Sequence, residues 1–200
     1  MATKENTTEL VEVYPATAER WEDLEALFGK HGASEDCWCM FWRLRRKDFT
    51  QLNGEGRKLE LKKRTLGKQI PGLLAYVNGH VAGWCSVAPR EQFLALEFSR
   101  KLKRLDDHPV WSIVCFYVDK AYRFQGIMEA LVYGAVDHAR QNEANIVEAY
   151  PIDMQSPKLS GHKLSGDGGY MGIASIFRRA GFVEVGRASE TKLFMRKTIS

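Results

Sequence analysis

Phe116-Tyr117-Val118-Asp119-Lys120-Ala121-Tyr122-Arg123-Phe124-Gln125-Gly126-Ile127-Met128 is the stretch whose reading decides the fold. It begins inside the run Val110 to Val118, apolar on both parities, as a strand covered on both faces should be. A short polar turn follows, and then a helix from Gly126 to Gln141. Ile127, Leu131, Ala135 and Ala139 line one stripe of that helix, with Met128, Val132 and Val136 beside it. The first N–H groups of a helix have no intrahelical partners and carry partial positive charge. Arg123 adds a full charge, and glycine at 126 lets a ligand approach the backbone with no β-carbon in the way. Strand, glycine turn and helix start therefore predict a pyrophosphate cradle. A tight turn that needs glycine for its own sake explains the same residues.

Upstream, Leu73 to Val77, Asn78-Gly79 and His80 to Val87 predict a hairpin, since Asn-Gly supplies both positive-φ positions of a type I′ turn. Leu10 to Tyr14 reads as a short strand stopped by Pro15, and Thr17 as the cap of a helix carrying Trp21, Leu24, Leu27 and Phe28, with Gly29 past its end. Arg57 to Leu66 is built of strong helix formers. Arg90 to Leu105 has an uneven helical pattern, broken by Asp106-Asp107-His108-Pro109. Downstream, Asn145 to Tyr150 predicts a strand ending at Pro151. Residues 153–169 are polar and glycine-rich, a long loop of the kind that carries function. Ile173 to Ala180 reads as a helix closed by Gly181, and Phe182 to Gly186 with Lys192 to Arg196 as a terminal hairpin. The order is strand, helices, hairpin, strand, helix, strand, helix, hairpin. It predicts an α/β (α+β) fold: a mixed, mostly antiparallel central sheet of about six to seven strands flanked by helices.

The 200 residues suit one domain over residues 10–200 behind a flexible tail at 1–9. Hydrophobic residues make up 44% and charged residues 27%, which excludes disordered, collagenous and coiled-coil classes. A net charge of +4 suits a polyanionic small ligand and falls short of a nucleic-acid footprint. No membrane span is expected from apolar runs this short. No apolar leader opens the sequence, so the expected setting is the cytoplasm, with Cys37, Cys39, Cys85 and Cys115 as thiols.

Arg123-Phe124-Gln125-Gly126-Ile127-Met128 resembles the acyl-CoA signature [RQ]-x-x-G-x-[GA] of the GNAT superfamily of N-acetyltransferases. The element order from Leu10 to Arg196 is similar to that fold, and Phe177-Arg178-Arg179-Ala180-Gly181-Phe182 resembles the family's closing pattern. The resemblance implies acetyl-CoA as co-substrate. It puts the pantetheine arm on the backbone of Phe116, Tyr117 and Val118 and the pyrophosphate on Arg123, Phe124, Gln125, Gly126, Ile127 and Met128. It also implies direct attack by a primary amine, either a small molecule or a peptide. Three residues depart from the pattern. Met128 stands where the family usually has glycine or alanine, Phe177 where many members carry an acidic tyrosine, and Ser112 near where some place a basic glutamate. A non-catalytic acyl-CoA-binding or regulatory module is the alternative these departures motivate.

Glu148, a carboxylate inside a strand, is a candidate to bind or deprotonate the amine; its structural reading is a partner for an arginine. Tyr170, at the end of the glycine-rich loop, is a candidate to replace the missing tyrosine acid, or else an aromatic clamp. Glu91 is a possible acceptor ligand or a helix-start carboxylate. Cys37-Trp38-Cys39 near His31 has the wrong spacing for zinc, and no metal is expected. Cys37 to Trp42 reads as one wall of an acceptor cleft for a flat or apolar substrate, or as plain core. Arg43, Arg45, Arg46 and Lys47, with Lys62, Lys63 and Arg64, read as a solvated face. The terminal hairpin is a candidate surface for a homodimer.

Overall fold

Turn chemistry and apolar patterning place the strands of the computed structural model, which describes residues 10–67, 69–162, 164 and 168–199. The expected tail at 1–9 lies outside the described residues. β1 (Val11–Pro15), β2 (Leu73–Val77), β3 (His80–Pro89), β4 (Trp111–Val118), β5 (Ile146–Ala149), β6 (Val183–Ser189) and β7 (Lys192–Thr198) form one seven-stranded sheet in the order β1-β2-β3-β4-β5-β7-β6. Every neighbouring pair is antiparallel except β4 and β5. Asn78 and Gly79 join β2 to β3 with φ of 50° and 80°, as the type I′ reading requires.

The helices are α1 (Trp21–Phe28), α2 (Arg46–Gln51), α3 (Gly54–Leu66), α4 (Leu94–Glu97), α5 (Ile127–Gln141) and α6 (Ala174–Arg179). The alternation of β2 sorts them onto two faces. Leu73, Ala75 and Val77 pack with Leu131, Val132 and Ala135 of α5, whereas Leu74 and Tyr76 pack with Leu24 and Phe28 of α1. Each large side chain buried this way is worth roughly 1.5–3 kcal/mol of transfer free energy.

Three expectations need correction. α3 starts at Gly54 rather than Arg57, because the Asn53 side chain accepts from the Gly56 N–H and offsets two early glycines. Thr17 precedes a 3-10 turn and makes no side-chain cap; α1 begins at Trp21. Arg90 to Leu105 is not a helix, since only the 3-10 turn Arg90–Gln92 and α4 form there. The segment instead wraps around the buried Arg90 side chain, which donates to the carbonyl of Leu102 at 2.7 Å and to Glu97 at 2.6 Å.

Two features position the site. β4 and β5 pair only over Trp111–Val147, Ser112–Glu148 and Ile113–Ala149, so the two strands part beyond Ile113. A β-carbon on Gly83 would stand 2.7 Å from Ile127 Cγ2, so glycine there lets the start of α5 lie against β3.

Candidate active site

The segment from Arg123 to Met128 has the turn and helix start that its residue types suggest. Gly126 caps α5 in the left-handed conformation, φ 79°, where other residues pay roughly 1–2 kcal/mol. The first helical bond runs from the Ala130 N–H to the Gly126 carbonyl, which leaves the N–H groups of Ile127, Met128 and Glu129 without intrahelical acceptors. Nothing lies within 4 Å of a β-carbon built on Gly126, so the space above the backbone is open. Arg123, Phe124, Gln125 and Gly126 are all exposed. Phe124 is itself left-handed at φ 64°. Ile127 is buried, and Met128 is half-buried and packs on the core, so its bulk is directed there at least in part. The one carboxylate in the first turn, Glu129, is held below its ordinary pKa by the hydrogen bond from Arg179. Open space, unspent N–H groups and Arg123 fit a pyrophosphate.

The strand edge above the cradle is more divided. Asp119 donates to the Ala82 carbonyl of β3. By alternation, Tyr117 then turns its backbone toward β3, while Phe116 and Val118 turn theirs toward the gap beside β5. Tyr117 thus meets the site through its side chain rather than, as expected, through its backbone. The Val118 carbonyl accepts from Arg123 Nε at 3.3 Å, and the Phe116 N–H donates to the Tyr170 carbonyl at 2.6 Å. Backbone around Tyr170 therefore stands where β5 has departed.

A cavity of about 390 Å³ opens beside Tyr170 on the α1 face of the sheet. Phe28, Phe41, Trp42, Phe49, Trp84 and Tyr117 give it aromatic walls. Cys37, Cys39 and Cys115 add three thiols, and Glu35 and Arg46 bring charge. The run from Cys37 divides: Cys37, Phe41 and Trp42 line the cavity, Trp38 and Met40 are buried in the core beneath α1, and Cys39 belongs to that core while also bordering the cavity. Left-handed backbone at Ala33, Glu35, Asp36, Trp38 and Cys39 shapes this wall, a concentration of strain typical of functional segments. Burial pushes the Tyr170 phenol up to about 12, the Cys115 thiol adding to the rise and the Trp42 indole opposing it.

Glu148 lies away from this cavity. It is 1% exposed. One oxygen accepts from Arg90 at 3.0 Å and Tyr150 at 2.6 Å, and the other from Arg196 at 2.7 Å. It is the arginine partner of the structural reading. Ser112 closes the same network through the Tyr150 hydroxyl at 2.9 Å. Phe177 is core, edge-on to Phe116 and Phe182. Glu91 pairs with Arg104 at 2.7 Å. Among the described residues no three His, Cys, Asp or Glu side chains are grouped to hold a metal ion, and no helix is long and apolar enough to cross a membrane.

Arg43 overturns the solvated-face reading at its position. It is 1% exposed, stacks on Phe93 and donates to the Pro71 carbonyl. The available signal was its place three residues after Met40, whose carbonyl takes the Arg43 N–H.

Sheet order, parted strands and an anion-ready helix start together define the class of fold: an open mixed sheet split beside the N-terminus of one helix. Residues 38–156, more than half the chain, match the model of the Acetyltransferase (GNAT) family, and the protein belongs to that family. Solved structures of similar fold include a GNAT-family acetyltransferase from Streptococcus pneumoniae, with 16% identity, TM-score 0.53, and 96% of this chain and 100% of that one covered. The YncA putative acetyltransferase from Salmonella typhimurium, solved with acetyl-CoA, gives 14% identity, TM-score 0.53 and coverage of 95% and 94%. The ribosomal-protein-alanine N-acetyltransferase from Brucella melitensis gives 20%, 0.51, and 94% and 99%. No curated protein matches the chain in sequence.

Proposed function

We propose that this protein is an N-acetyltransferase that moves an acetyl group from acetyl-CoA to a primary amine on a small molecule or peptide. The observation that carries the reading is the β4 edge that β5 leaves beyond Ile113, running into left-handed Gly126 and the open N-terminus of α5. Arg123 through Met128 would hold the pyrophosphate, and the backbone of Phe116 and Val118 the pantetheine arm. The Phe116 N–H would release the Tyr170 carbonyl to do so. Preformed N–H groups polarise an acyl carbonyl without reorganising. The amine would enter through the aromatic cavity, which favours a flat or apolar body. The Tyr170 phenol, which lines this cavity and which burial keeps protonated at neutral pH, would return a proton to the departing CoA thiolate. Glu148 is not offered as the base, because both its oxygens are committed to Arg90, Tyr150 and Arg196. Four free thiols among the described residues accord with a cytoplasmic setting.

Gly126→Glu tests the cradle. It sets a carboxylate where the phosphates would lie, in space open enough to admit it. Acetyl-CoA binding by calorimetry is expected to vanish while the thermal melt stays cooperative. Unchanged affinity would overturn the reading. Binding without transfer to any amine in a broad screen would instead favour a regulatory acyl-CoA module.

A further inference from the structure

Two arrays of rings from separate parts of the chain line the aromatic cavity. Phe28 of α1 stands edge-on to Trp84 of β3 at 5.7 Å and to Tyr117 of β4 at 5.9 Å. On a second wall Phe41 stands edge-on to Trp42 at 5.0 Å and to Phe49 of α2 at 5.6 Å. That wall is held from behind. Arg57 lies over the Phe49 ring at 4.0 Å and donates to the Phe49 carbonyl at 2.9 Å, while the Trp42 carbonyl accepts from the Ala95 N–H at 3.0 Å. The Trp84 indole N–H is spent on the Cys39 sulfur at 3.2 Å, so that ring keeps no donor for a guest. Rings fixed in this way are ordered before a guest arrives, and an aromatic guest meets them in the geometries that rings prefer. Charge is sparse. Among the described lining residues Glu35 is the sole anion and Arg46 the sole cation, and both are exposed. Their charges cancel, so the lining holds no surplus of acid to attract a polycation. A volume of about 390 Å³ lies near the low end for ligand sites, roughly 300–1,000 Å³, and suits one or two rings better than an oligosaccharide.

We propose that the acceptor is an arylalkyl monoamine: a single primary amine on a short saturated arm, carried by one or two aromatic rings. The inference rests on the acetyl-CoA reading above. The ring lies between the two arrays, and the arm carries the nitrogen toward Phe116 and Tyr170, which line the same cavity beside the β4 edge. The amine reacts in its neutral form. Its N–C bond to the acetyl carbonyl forms as the bond to the CoA sulfur breaks, and the electron pair leaves with that sulfur. The sulfur takes the Tyr170 proton, and the proton lost by nitrogen restores the phenol, so the products are an amide and the CoA thiol. Phe41 and Arg46 set the choice of acceptor. Phe41 joins the rings that recognise a flat body, and Arg46 cancels the Glu35 charge that would otherwise favour a polyamine.

The test measures kcat/KM of the full chain with acetyl-CoA on phenethylamine, tryptamine, cyclohexylethylamine and spermidine, following the acetylated product by chromatography. Phenethylamine and cyclohexylethylamine share size and arm and differ in whether the ring is flat and aromatic. Phenethylamine should be preferred by about fivefold, the size of one ring–ring contact, and spermidine should be the poorest acceptor. Phe41→Leu should bring the ratio between the two ring amines toward one. Arg46→Glu, at an exposed position, should raise spermidine against phenethylamine by about fivefold. Equal rates on the two ring amines, a better rate on spermidine, or ratios that neither variant moves would each overturn the proposal while the acetyl-CoA reading stands. Binding of acetyl-CoA with transfer to none of these amines would overturn it as well. Absence of acetyl-CoA binding in calorimetry would overturn the cradle reading itself, and the acceptor with it.

Discussion

Arg90 and Arg43 are both buried, at 0% and 1% exposure, yet they occupy opposite electrostatic situations. Arg90 donates to Glu97, Glu148, the Tyr150 hydroxyl and the Leu102 carbonyl. Its charge is neutralised and its hydrogens are spent, so it organises the surrounding loop. Arg43 has a carbonyl, a distant Ser86 hydroxyl at 3.4 Å, the face of Phe93 and the thiols of Cys39 and Cys115, and its Nε is left over. A complete network specifies structure; an incomplete one beside a cavity retains capacity for chemistry. The two arginines therefore mark a fully satisfied and an incompletely satisfied buried charge within one fold.

Breaking the complete network should cost most. Glu148→Ala removes the carboxylate that Arg90 and Arg196 share at a site with 1% exposure, leaving each with one acidic partner, Glu97 and Asp106, and should lower stability in urea by about 3 kcal/mol. Glu148→Gln keeps the shape and one set of hydrogen bonds and should lose less. If both variants retain wild-type stability, the network is not what holds the β4–β5 junction.

The same operation on Arg43 should behave differently. Arg43→Met removes a charge that no carboxylate among the described residues balances. Cys39, drawn down to about 7 by its hydrogen bond with Cys115 and then by Trp84 and Arg43, can simply take up a proton in response. The stability loss should stay below about 1.5 kcal/mol, as for a volume-conserving exchange. The Cys39 thiol should become less reactive, its alkylation by iodoacetamide near pH 7 slowing by about fivefold for a pKa rise of one. A stability loss as large as that of Glu148→Ala would erase the distinction between the two arginines.

This contrast also explains what was legible in the sequence. The type I′ turn at Asn78-Gly79, the doubly apolar β4 and the Gly126 cap are set by neighbours in the chain, and the structure has them where residue type puts them. Arg90 is bound to partners 58 and 60 residues away, Glu148 and Tyr150, so the segment from Arg90 to Leu105 could only be misread from local periodicity. Arg43 was hidden by company: Arg45, Arg46 and Lys47 are exposed, and only Arg43 turns inward. Of the candidate site, the turn and helix start from Arg123 to Met128 could be read because they are one continuous segment. The cavity could be read only on the wall from Cys37 to Trp42, because its other walls come from α1, β3, β4 and Tyr170. The Tyr170 carbonyl on the Phe116 N–H had no sequence signal, since 54 residues separate an ordinary backbone donor from an ordinary acceptor.

Lys192 gives the comparison its weakest case, a half-buried cation held by one carbonyl. Its Nζ donates to Tyr150 at 3.1 Å, and burial pulls it from the ordinary 10.5 down to about 8. The native state thus releases the proton near pH 8, while the unfolded chain keeps it to about 10.5. Between those values the unfolded state binds more protons, so this group makes stability rise with pH; below about 8 its penalty is fully present. Buried thiols raised by desolvation, such as Cys85, act in the opposite sense over the same window, so the informative quantity is a difference between two proteins. Lys192→Met trades one hydrogen bond for relief of that penalty and should change stability at pH 7 by less than about 1 kcal/mol. Urea titrations at pH 7 and pH 10 should show wild type gaining on the variant as pH rises. If the two proteins keep a constant difference across that range, Lys192 carries no buried charge, and the series from paired to unpaired cation ends at Arg43.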